Sequence, residues 1–275
     1  MVGELCRLGA DSLSGTETPI LDAQLLLCYV LGCERMDIVT RPEKTVSEEQ
    51  KRKYISLIEK RASGVPLEYI IGQKEFMSLP FLVNRNVLIP RPDTETLVER
   101  VIKNIKSGRI LEIGTGSGCI AVSLAKYIPD AIIDAIDISE EALVVARKNA
   151  EINGISVNFI RQDIMENFCN SDGIKYDAVV SNPPYIESDE IIKLMPEVQN
   201  EPKIALDGGT DGLDFYKRII SLPLLRAGGY MAFEVGHKQA EAVIGIMNEN
   251  GFEKTSAWKD LPGILRVVDG FKCSI

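Results

Sequence analysis

A four-residue turn, Asn182-Pro183-Pro184-Tyr185, follows an apolar, strand-like run over residues 176–181. The side chain of Asn182 offers a carboxamide oxygen, and the carbonyl of Pro183 stays open beside it because Pro184 has no N–H. Two acceptors that converge in this way fit the two hydrogens of a planar, conjugated –NH2 group. The prolines fix the turn before a substrate arrives, and the ring of Tyr185 can lie against a flat substrate group. A proline-rich turn that simply ends a strand is the alternative interpretation.

A glycine-rich loop lies upstream of this turn. Residues 109–113 have the pattern of a short strand, and three glycines follow it with the spacing G-x-G-x-G (Gly114, Gly116, Gly118). An apolar, helix-like pattern then begins at Cys119. Strand, glycine turn and helix form the nucleotide-binding unit of a doubly wound sheet, and glycine is needed where a cofactor passes close to the backbone. The spacing differs from the G-x-G-x-x-G of dinucleotide-binding enzymes.

Three acidic residues, Glu112, Asp137 and Asp163, stand at or just after the ends of predicted strands. Glu112 precedes the first glycine by two residues, where a carboxylate disfavours a pyrophosphate but suits a cofactor with an amino group or a sulfonium. Asp137 is placed to accept hydrogen bonds from both hydroxyls of a ribose. Asp163 is a candidate for the exocyclic amine of adenine. Together with the glycines, these acids predict a nucleoside cofactor; solvated acids that cap ordinary helices are the alternative.

These motifs resemble the class I S-adenosylmethionine-dependent methyltransferases, and specifically the family that methylates the glutamine of peptide-chain release factors (the PrmC family). The Asn-Pro-Pro-Tyr turn alone also occurs in methyltransferases that act on adenine or guanine amines. Residues 91–95, combined with Glu201-Pro202 and the Gly-Gly-x-Asp-Gly run at 208–212, are more specific to the glutamine family. One departure is Asp93, where many members carry Glu. The first 60 residues match only weakly. The matching stretches are residues 64–72, 75–76, 88–95, 112–119, 137–143, 181–185, 201–206 and 208–213.

The resemblance implies an α/β fold: a Rossmann-like class I methyltransferase domain with a mainly parallel seven-stranded sheet, helices on both faces and an antiparallel last strand, plus a small N-terminal helical domain. The sequence pattern agrees, because strands and helices alternate after residue 93. Residues 1–63 have helical periodicity, and residues 76–92 alternate apolar and polar side chains between prolines. We therefore predict residues 1–74 as a helical substrate-docking domain, 75–92 as a β-hairpin or extended linker, and 93–275 as the methyltransferase domain.

Near the C-terminus, the pattern predicts a helix from Gly212 to Arg226 that is closed by Gly228-Gly229, and then a strand over residues 230–235. A further helix is predicted over residues 239–250, with a final pair of strands at 252–257 and 264–268. Ligands of such a sheet bind at the carboxyl ends of its strands, where the acids and the Asn-Pro-Pro-Tyr turn are placed.

The resemblance also implies an activity. It is the transfer of a methyl group from S-adenosyl-L-methionine to the side-chain amide nitrogen (N5) of the glutamine in a Gly-Gly-Gln motif, with S-adenosyl-L-homocysteine as the product. The implied catalytic residues are Asn182, Pro183 and Tyr185. Candidate cofactor-binding residues are Glu112, Gly114, Thr115, Gly116, Gly118, Asp137, Ile138, Asp163, Ile164 and Asn182. Candidate substrate-binding residues are Asn182, Pro183, Pro184, Tyr185, Phe76, Arg91 and Pro92, with ordinary core packing as the alternative for Phe76.

The composition indicates which class of partner the protein binds and in which cellular compartment it works. The chain has 275 residues, a net charge of −9 and no run of basic residues of the kind that a phosphate backbone attracts. This weighs against direct nucleic-acid binding and favours a protein partner, which the resemblance identifies as release factors. Six cysteines without a C-x-x-C motif and a single histidine predict reduced thiols in a cytoplasmic protein and no metal site. The sequence contains no stretch of 18 apolar residues, so we predict no membrane-spanning segment.

Three alternative functions remain at this point. A nucleic-acid methyltransferase acting on an exocyclic amine of adenine or guanine would use the same turn, but it needs a basic track and aromatic side chains that stack on a flipped base. A non-enzymatic sensor of the nucleoside cofactor would not need an amide clamp. An NAD-dependent dehydrogenase is disfavoured by the glycine spacing and by Glu112.

Overall fold

The computed structural model describes residues 1–166 and 173–274 of the chain. The helices are α1 (Val2–Ser12), α2 (Pro19–Leu31), α3 (Arg35–Thr40), α4 (Glu48–Ala62), α5 (Leu67–Ile71), α6 (Asp93–Asn104), α7 (Cys119–Tyr127), α8 (Glu140–Ile152), α9 (Pro196–Gln199), α10 (Asp214–Ser221) and α11 (Ala240–Glu249). The strands are β1 (Gln73–Phe76), β2 (Leu79–Leu82), β3 (Gly108–Ile113), β4 (Ala131–Asp137), β5 (Asn158–Arg161), β6 (Tyr176–Ser181), β7 (Leu225–Glu234), β8 (Phe252–Lys259) and β9 (Leu265–Lys272). The chain divides into two compact units, one of Met1–Gln73 with Met195–Asn200 and one of Lys74–Leu194 with Glu201–Ile275.

The first unit is a small helical bundle whose core comes from α1, α2 and α4. Leu26 and Leu27 of α2 are fully buried in it together with Tyr54 of α4. The phenol oxygen of Tyr54 lies 3.2 Å from the carbonyl oxygens of both Leu5 and Ala23, so one side chain joins all three helices. The helical interpretation of residues 1–63 is therefore correct.

A buried ionic cluster completes this unit. Arg61 Nε donates to Asp22 Oδ2 at 2.8 Å, and Arg61 Nη2 donates to Glu197 Oε1 at 2.5 Å. The Arg61 side chain is only 4% exposed, so the two carboxylates supply the compensation that a buried charge requires. Glu197 belongs to the segment Met195–Asn200, which lies far along the chain and was not part of the predicted helical domain of residues 1–74.

The second unit contains the predicted sheet, with the strand order β5-β4-β3-β6-β7-β9-β8. Strands β3 to β7 pair in parallel, and β9 pairs antiparallel with both β7 and β8. Adjacent residues of β3 point to opposite faces: Ile110 packs with α6, α7 and α8, whereas Leu111 packs with α10 and α11. The mainly parallel, doubly covered, seven-stranded sheet is confirmed.

Strands β3 and β6 are neighbours at the centre of this sheet, although β4 and β5 lie between them in the sequence. Ile113 is opposite Ser181 at the ends of the two strands, and Ser181 Oγ donates to the carbonyl of Ile113 at 2.7 Å. Because parallel strands bring their carboxyl ends to one edge, the glycine loop after β3 and the Asn-Pro-Pro-Tyr turn after β6 start side by side.

The predicted helix over residues 212–226 is shorter than expected. It ends at Ser221, because Pro223 follows and cannot continue a helix. Strand β7 begins at Leu225, so that Gly228 and Gly229 lie within the strand and do not close the helix.

The predicted hairpin is confined to residues 73–82, and residues 83–92 form no regular strand. Its turn uses Met77 and Ser78 at φ of 50° and 58°, a left-handed conformation without glycine. Side chains from α6 and α7 hold this turn, since Glu95 Oε1 accepts from Met77 N and Tyr127 Oη donates to Met77 O, each at 2.7 Å.

We expect Asp22→Ala to lower the free energy of unfolding by about 3 kcal/mol, at the low end for a broken buried pair, because Glu197 still faces Arg61. Urea titration measures this change. The matched control is Arg147→Ala, which breaks an exposed pair with Glu140 and should cost less than about 1 kcal/mol. If the two variants lose similar amounts of unfolding free energy, the cluster around Arg61 does not stabilise the fold more than an exposed ion pair does.

Candidate active site

An open cavity lies at the carboxyl ends of β3, β4 and β6. It brings together residues that the sequence placed in three separate motifs. Its lining includes the following predicted site residues: Gly114, Gly116, Asp137, Ile138, Asp163, Ile164, Asn182, Pro183 and Pro184. Residues 86–88 and Pro202, Ile204 and Ala205 also line it. Sequence reasoning did not assign these to the site, although residues 88 and 201–206 lie in stretches that carry the family resemblance.

The glycines of the loop have two different roles. Gly114 and Gly116 have φ of 75° and 54°, and a Cβ added to either would meet no protein atom within 4 Å. They therefore leave open space at the cavity for a ligand close to the backbone. A Cβ on Gly118 would lie 3.0 Å from the Cβ of Ala146, so this glycine permits α7 to pack against α8. Gly118 does not line the cavity.

Glu112 lies behind the glycine loop and is completely buried. Its Oε2 accepts from Thr115 Oγ1 at 2.6 Å and from Ala121 N at 3.0 Å, whereas its buried Oε1 has no hydrogen-bond partner within the described residues. Burial raises the pKa of Glu112 to about 8. An incompletely satisfied carboxylate at this position fits a cofactor that carries positive charge. Glu112 and Thr115 thus support the loop from behind and do not line the cavity.

Asp137 ties the loop to the end of β4. Its Oδ2 accepts from Gly116 N at 2.8 Å and its Oδ1 accepts from Ser139 N at 2.9 Å. Each carboxylate oxygen can accept a second hydrogen bond, so Asp137 keeps acceptor capacity toward the cavity that it lines. Burial raises the pKa of Asp137. Asp163 Oδ1 accepts from Met165 N at 2.8 Å on the neighbouring wall.

Three glycines hold the Asn-Pro-Pro-Tyr turn from behind. A Cβ on Gly208 would lie 2.7 Å from Tyr185 Cα, and one on Gly212 would lie 2.4 Å from Tyr185 O. A Cβ on Gly236 would lie 3.0 Å from the Tyr185 ring. Gln239 Nε2 also donates to Tyr185 O at 3.0 Å. The Gly-Gly-x-Asp-Gly run therefore contributes close backbone packing that keeps the turn in place.

A hydrogen-bond chain lies behind the same turn. Asn182 Nδ2 donates to Thr94 Oγ1 at 3.3 Å, and Thr94 Oγ1 donates to Glu234 Oε2 at 2.5 Å. Tyr185 Oη lies 3.3 Å from the other carboxylate oxygen, Glu234 Oε1. Burial raises the pKa of Glu234 to about 7 and raises that of Tyr185 further above its ordinary value. Sequence reasoning did not assign Thr94 or Glu234 to the site.

The other predicted substrate-binding residues do not line the cavity. Phe76 is 1% exposed and packs edge-on against Phe81 with the ring centroids 6.1 Å apart, which is the core packing that the sequence left as its alternative. Arg91 forms an ion pair with Glu201, whose other oxygen accepts from Ile89 N. Pro92 lies exposed just before α6, and Tyr185 is partly buried against the apolar cluster formed with α10 and α11. Asp93 pairs with Arg266 at 3.2 Å.

The described cysteines are free thiols: Cys6, Cys28, Cys33, Cys119 and Cys273. Cys169 lies outside the described residues. Burial raises the pKa of the Cys119 thiol, which makes a nucleophilic thiolate unfavourable there. Over residues 1–166 and 173–274, there is no group of three or more His, Cys, Asp or Glu side chains suited to a metal ion. In the same residues, no helix has the length and apolar character needed to cross a bilayer.

Comparison with known proteins covers both units. The PrmC N-terminal domain model matches residues 4–72, and the methyltransferase small domain model matches residues 92–207. The first match corrects the expectation that the first 60 residues resemble the family only weakly. A methyltransferase from Pyrococcus furiosus superposes with a TM-score of 0.55 and 20% identity, over 73% of this chain and 92% of that chain. At this identity the similarity shows the fold alone.

Two curated relatives extend the match along nearly the whole chain. The release factor glutamine methyltransferase of Geobacter sulfurreducens is 39% identical over 93% of this chain and 90% of the relative. The release factor glutamine methyltransferase of Clostridium acetobutylicum is 42% identical over 90% of this chain and 89% of the relative. With the fold and the shared cavity described above, this identity shows that the chain belongs to the release factor glutamine methyltransferase family.

Proposed function

We propose that this protein transfers the methyl group of S-adenosyl-L-methionine to the side-chain amide nitrogen of the glutamine in the Gly-Gly-Gln motif of peptide-chain release factors. The observation that carries the proposal is the shared cavity: the Asn182-Pro183 acceptors line the same space as the glycine loop and Asp137. The names of the relatives support the same activity. S-adenosyl-L-homocysteine is the product that leaves.

The cavity residues supply the binding groups that this cofactor requires. Asp137 has acceptor capacity for the two ribose hydroxyls, and we assign Asp163, which lines the same cavity, to the adenine amine. Gly114 and Gly116 leave room for the cofactor beside the backbone, and the apolar side chains of Ile138 and Ile164 form walls for its flat base. Glu112 is a buried carboxyl behind the loop, and a cationic ligand in the cavity would favour its ionised form.

The chemistry depends on the two acceptors of the turn. When bound, S-adenosylmethionine supplies an electrophilic methyl group on a sulfonium. A primary carboxamide nitrogen is a weak nucleophile, because its lone pair is delocalised into the carbonyl. Asn182 Oδ1 and the Pro183 carbonyl accept its two N–H hydrogens, orient the nitrogen and stabilise the positive charge that develops on it. No strong base is needed beforehand, since the proton leaves after transfer, when the nitrogen is far more acidic.

We propose the first unit as the second contact for the release factor. A Gly-Gly-Gln loop tip is small, so it anchors little surface and cannot by itself give specificity. The first unit carries exposed apolar side chains, among them Met36 and Val39, which lie three residues apart on α3 and are 66% and 53% exposed. The acidic net charge and the absence of a basic run favour this protein partner over a nucleic acid. We place the reaction in the cytoplasm, where release factors act in translation termination.

Labelled methyl transfer from S-adenosylmethionine to purified release factor, ribosomal RNA or DNA tests the proposed function. We expect label only in the release factor. Asn182→Ala should lower kcat about 10²- to 10³-fold, as loss of one oxyanion-hole donor does, with cofactor affinity nearly unchanged. Label in nucleic acid would contradict the proposed substrate, and turnover within a factor of three of wild type would contradict the amide clamp.

Asp137→Ala should weaken cofactor binding about 10- to 100-fold, because two ribose hydroxyls lose a charged acceptor worth about 1.5–3 kcal/mol. Affinity for the release factor should stay near that of wild type. Calorimetry measures both, and Asp130→Ala, at an exposed position outside the cavity, is the control. Unchanged cofactor affinity would remove Asp137 from the binding site.

The docking role is tested on the surface of the first unit. The double variant Met36→Glu with Val39→Glu should raise the KM for intact release factor about tenfold or more, because it places charge in an apolar contact. Cofactor affinity should not change, and Ile152→Glu, at an exposed position on α8, should leave KM unchanged. A short Gly-Gly-Gln peptide should be an equally poor substrate for all variants. Wild-type KM for the double variant would exclude this face of α3 from docking.

A further inference from the structure

Two buried residues outside the cavity, Thr94 and Glu234, are linked by hydrogen bonds to the turn that lines it. Thr94 lies in the first turn of α6 and Glu234 ends β7, and they are 2% and 1% exposed. Asn182 lines the cavity and is the only one of the three that does so. The question is therefore what the two buried residues do for Asn182.

Counting hydrogens determines the direction of each bond. A threonine hydroxyl has one hydrogen, and an ionised carboxylate only accepts. With Thr94 donating to Glu234 at 2.5 Å, the Thr94 oxygen presents only lone pairs to Asn182, and it accepts from Nδ2 at 3.3 Å. The amide of Asn182 thus has its NH2 group toward Thr94 and its oxygen on the opposite side. Tyr185 Oη, 3.3 Å from Glu234 Oε1, connects the other end of the turn to the same carboxylate.

We propose that Thr94 and Glu234 are positioning residues that hold the carboxamide of Asn182 with its oxygen toward the substrate nitrogen. A carboxamide rotated by half a turn would present its own NH2 group to the NH2 group of the substrate. Two donors would then face each other, and the turn would lose one of its two acceptors. The proposal rests on the proposed function, because the substrate amide is the group for which Asn182 is oriented.

The surroundings of Glu234 make its protonation relevant to this orientation. Burial raises the pKa of Glu234 to about 7. The titratable and charged groups that face it are Asp93, Arg266, Tyr185, Tyr216 and Cys119. Asp93 and Arg266 form an ion pair with each other. The two tyrosines and the cysteine are neutral near pH 7, because burial raises their pKa values further above an ordinary range that already exceeds 7. Protonated Glu234 can donate to Thr94, which frees the Thr94 hydrogen to point at Asn182. The orientation is therefore held above the pKa of Glu234 and lost as the pH falls through it.

The first test compares two substitutions at Thr94. Thr94→Val keeps the shape but removes the hydroxyl, and it should lower kcat for release-factor methylation roughly 10- to 100-fold with little change in either KM. Thr94→Ser keeps the hydroxyl and should stay within about threefold of wild type. Ser123→Ala removes another buried hydroxyl, on α7, and should leave kcat unchanged. Equal losses of kcat in Thr94→Val and Thr94→Ser, or a wild-type kcat in Thr94→Val, would overturn the proposal.

The second test uses pH. Neither a carboxamide nor a sulfonium titrates between pH 6 and 8, and wild-type kcat should fall on the acid side of about pH 7, where Glu234 is protonated. Glu234→Gln should have a lower kcat at pH 8 and no longer show this acid limb. Glu112 also has a raised pKa, so the acid limb of the kcat profile is assigned to Glu234 only if Glu234→Gln abolishes it. An unchanged pH profile in Glu234→Gln would overturn the role of its charge.

A third measurement needs neither a release factor nor a variant that folds differently. In the wild-type protein, the side-chain NH2 resonance of Asn182, assigned by its absence in Asn182→Ala, should show slow hydrogen exchange at pH 8. It should shift as the pH falls through about 7. Fast exchange with no shift would overturn the proposal. If wild-type protein transfers no methyl group while this resonance behaves as expected, the proposed function fails, whereas the orientation of the Asn182 carboxamide by Thr94 and Glu234 is supported.

Discussion

The parallel pairing of β3 with β6 is the contact on which the site depends. Both strands are buried on both faces, as the continuous apolar sequence of each requires. Their ends are joined where Ser181 Oγ donates to Ile113 O. The loop after one strand carries the glycines and the turn after the other carries the amide acceptors. The glycine loop and the Asn-Pro-Pro-Tyr turn, which are far apart in the sequence, thus open into one cavity, where we propose that cofactor and substrate meet.

Two buried acids lie at the carboxyl ends of strands: Glu112 is next to last in β3, and Glu234 is the last residue of β7. Burial raises the pKa of Glu112 to about 8 and that of Glu234 to about 7, so each favours its protonated form in the folded protein. For an acid whose folded pKa is raised, the stability contribution is full below the unfolded pKa and is lost as pH rises through the folded one. Near pH 7 these residues therefore contribute less to stability than apolar residues could. Each carboxyl makes hydrogen bonds that an apolar residue could not make: Glu112 accepts from Thr115 and Ala121 behind the glycine loop, and Glu234 accepts from Thr94 behind the turn.

Much of the fold and of the cavity follows from local sequence. The strand over residues 176–181 was placed correctly, because an apolar run bounded by a Pro-Pro turn has one interpretation. Sequence could not show that Thr94 and Glu234 meet, since they are 140 residues apart and no local pattern pairs a residue of α6 with the end of β7. Nor could it separate Gly118, which makes room for Ala146, from the glycines that face the cavity. Such distinctions depend on what a side chain touches after folding.

The ion pair between the buried Arg61 and the partly exposed Glu197 has a consequence for synthesis of the chain. The two residues are 136 positions apart, yet both belong to the first unit. At 5–20 residues per second, the ribosome needs about 7–27 s to reach the second residue after the first. During that interval Asp22 is available to Arg61, but the segment of residues 195–200, which carries the second carboxylate, has not yet been synthesised. The first unit therefore cannot make all of its native contacts until synthesis has passed the Asn-Pro-Pro-Tyr turn.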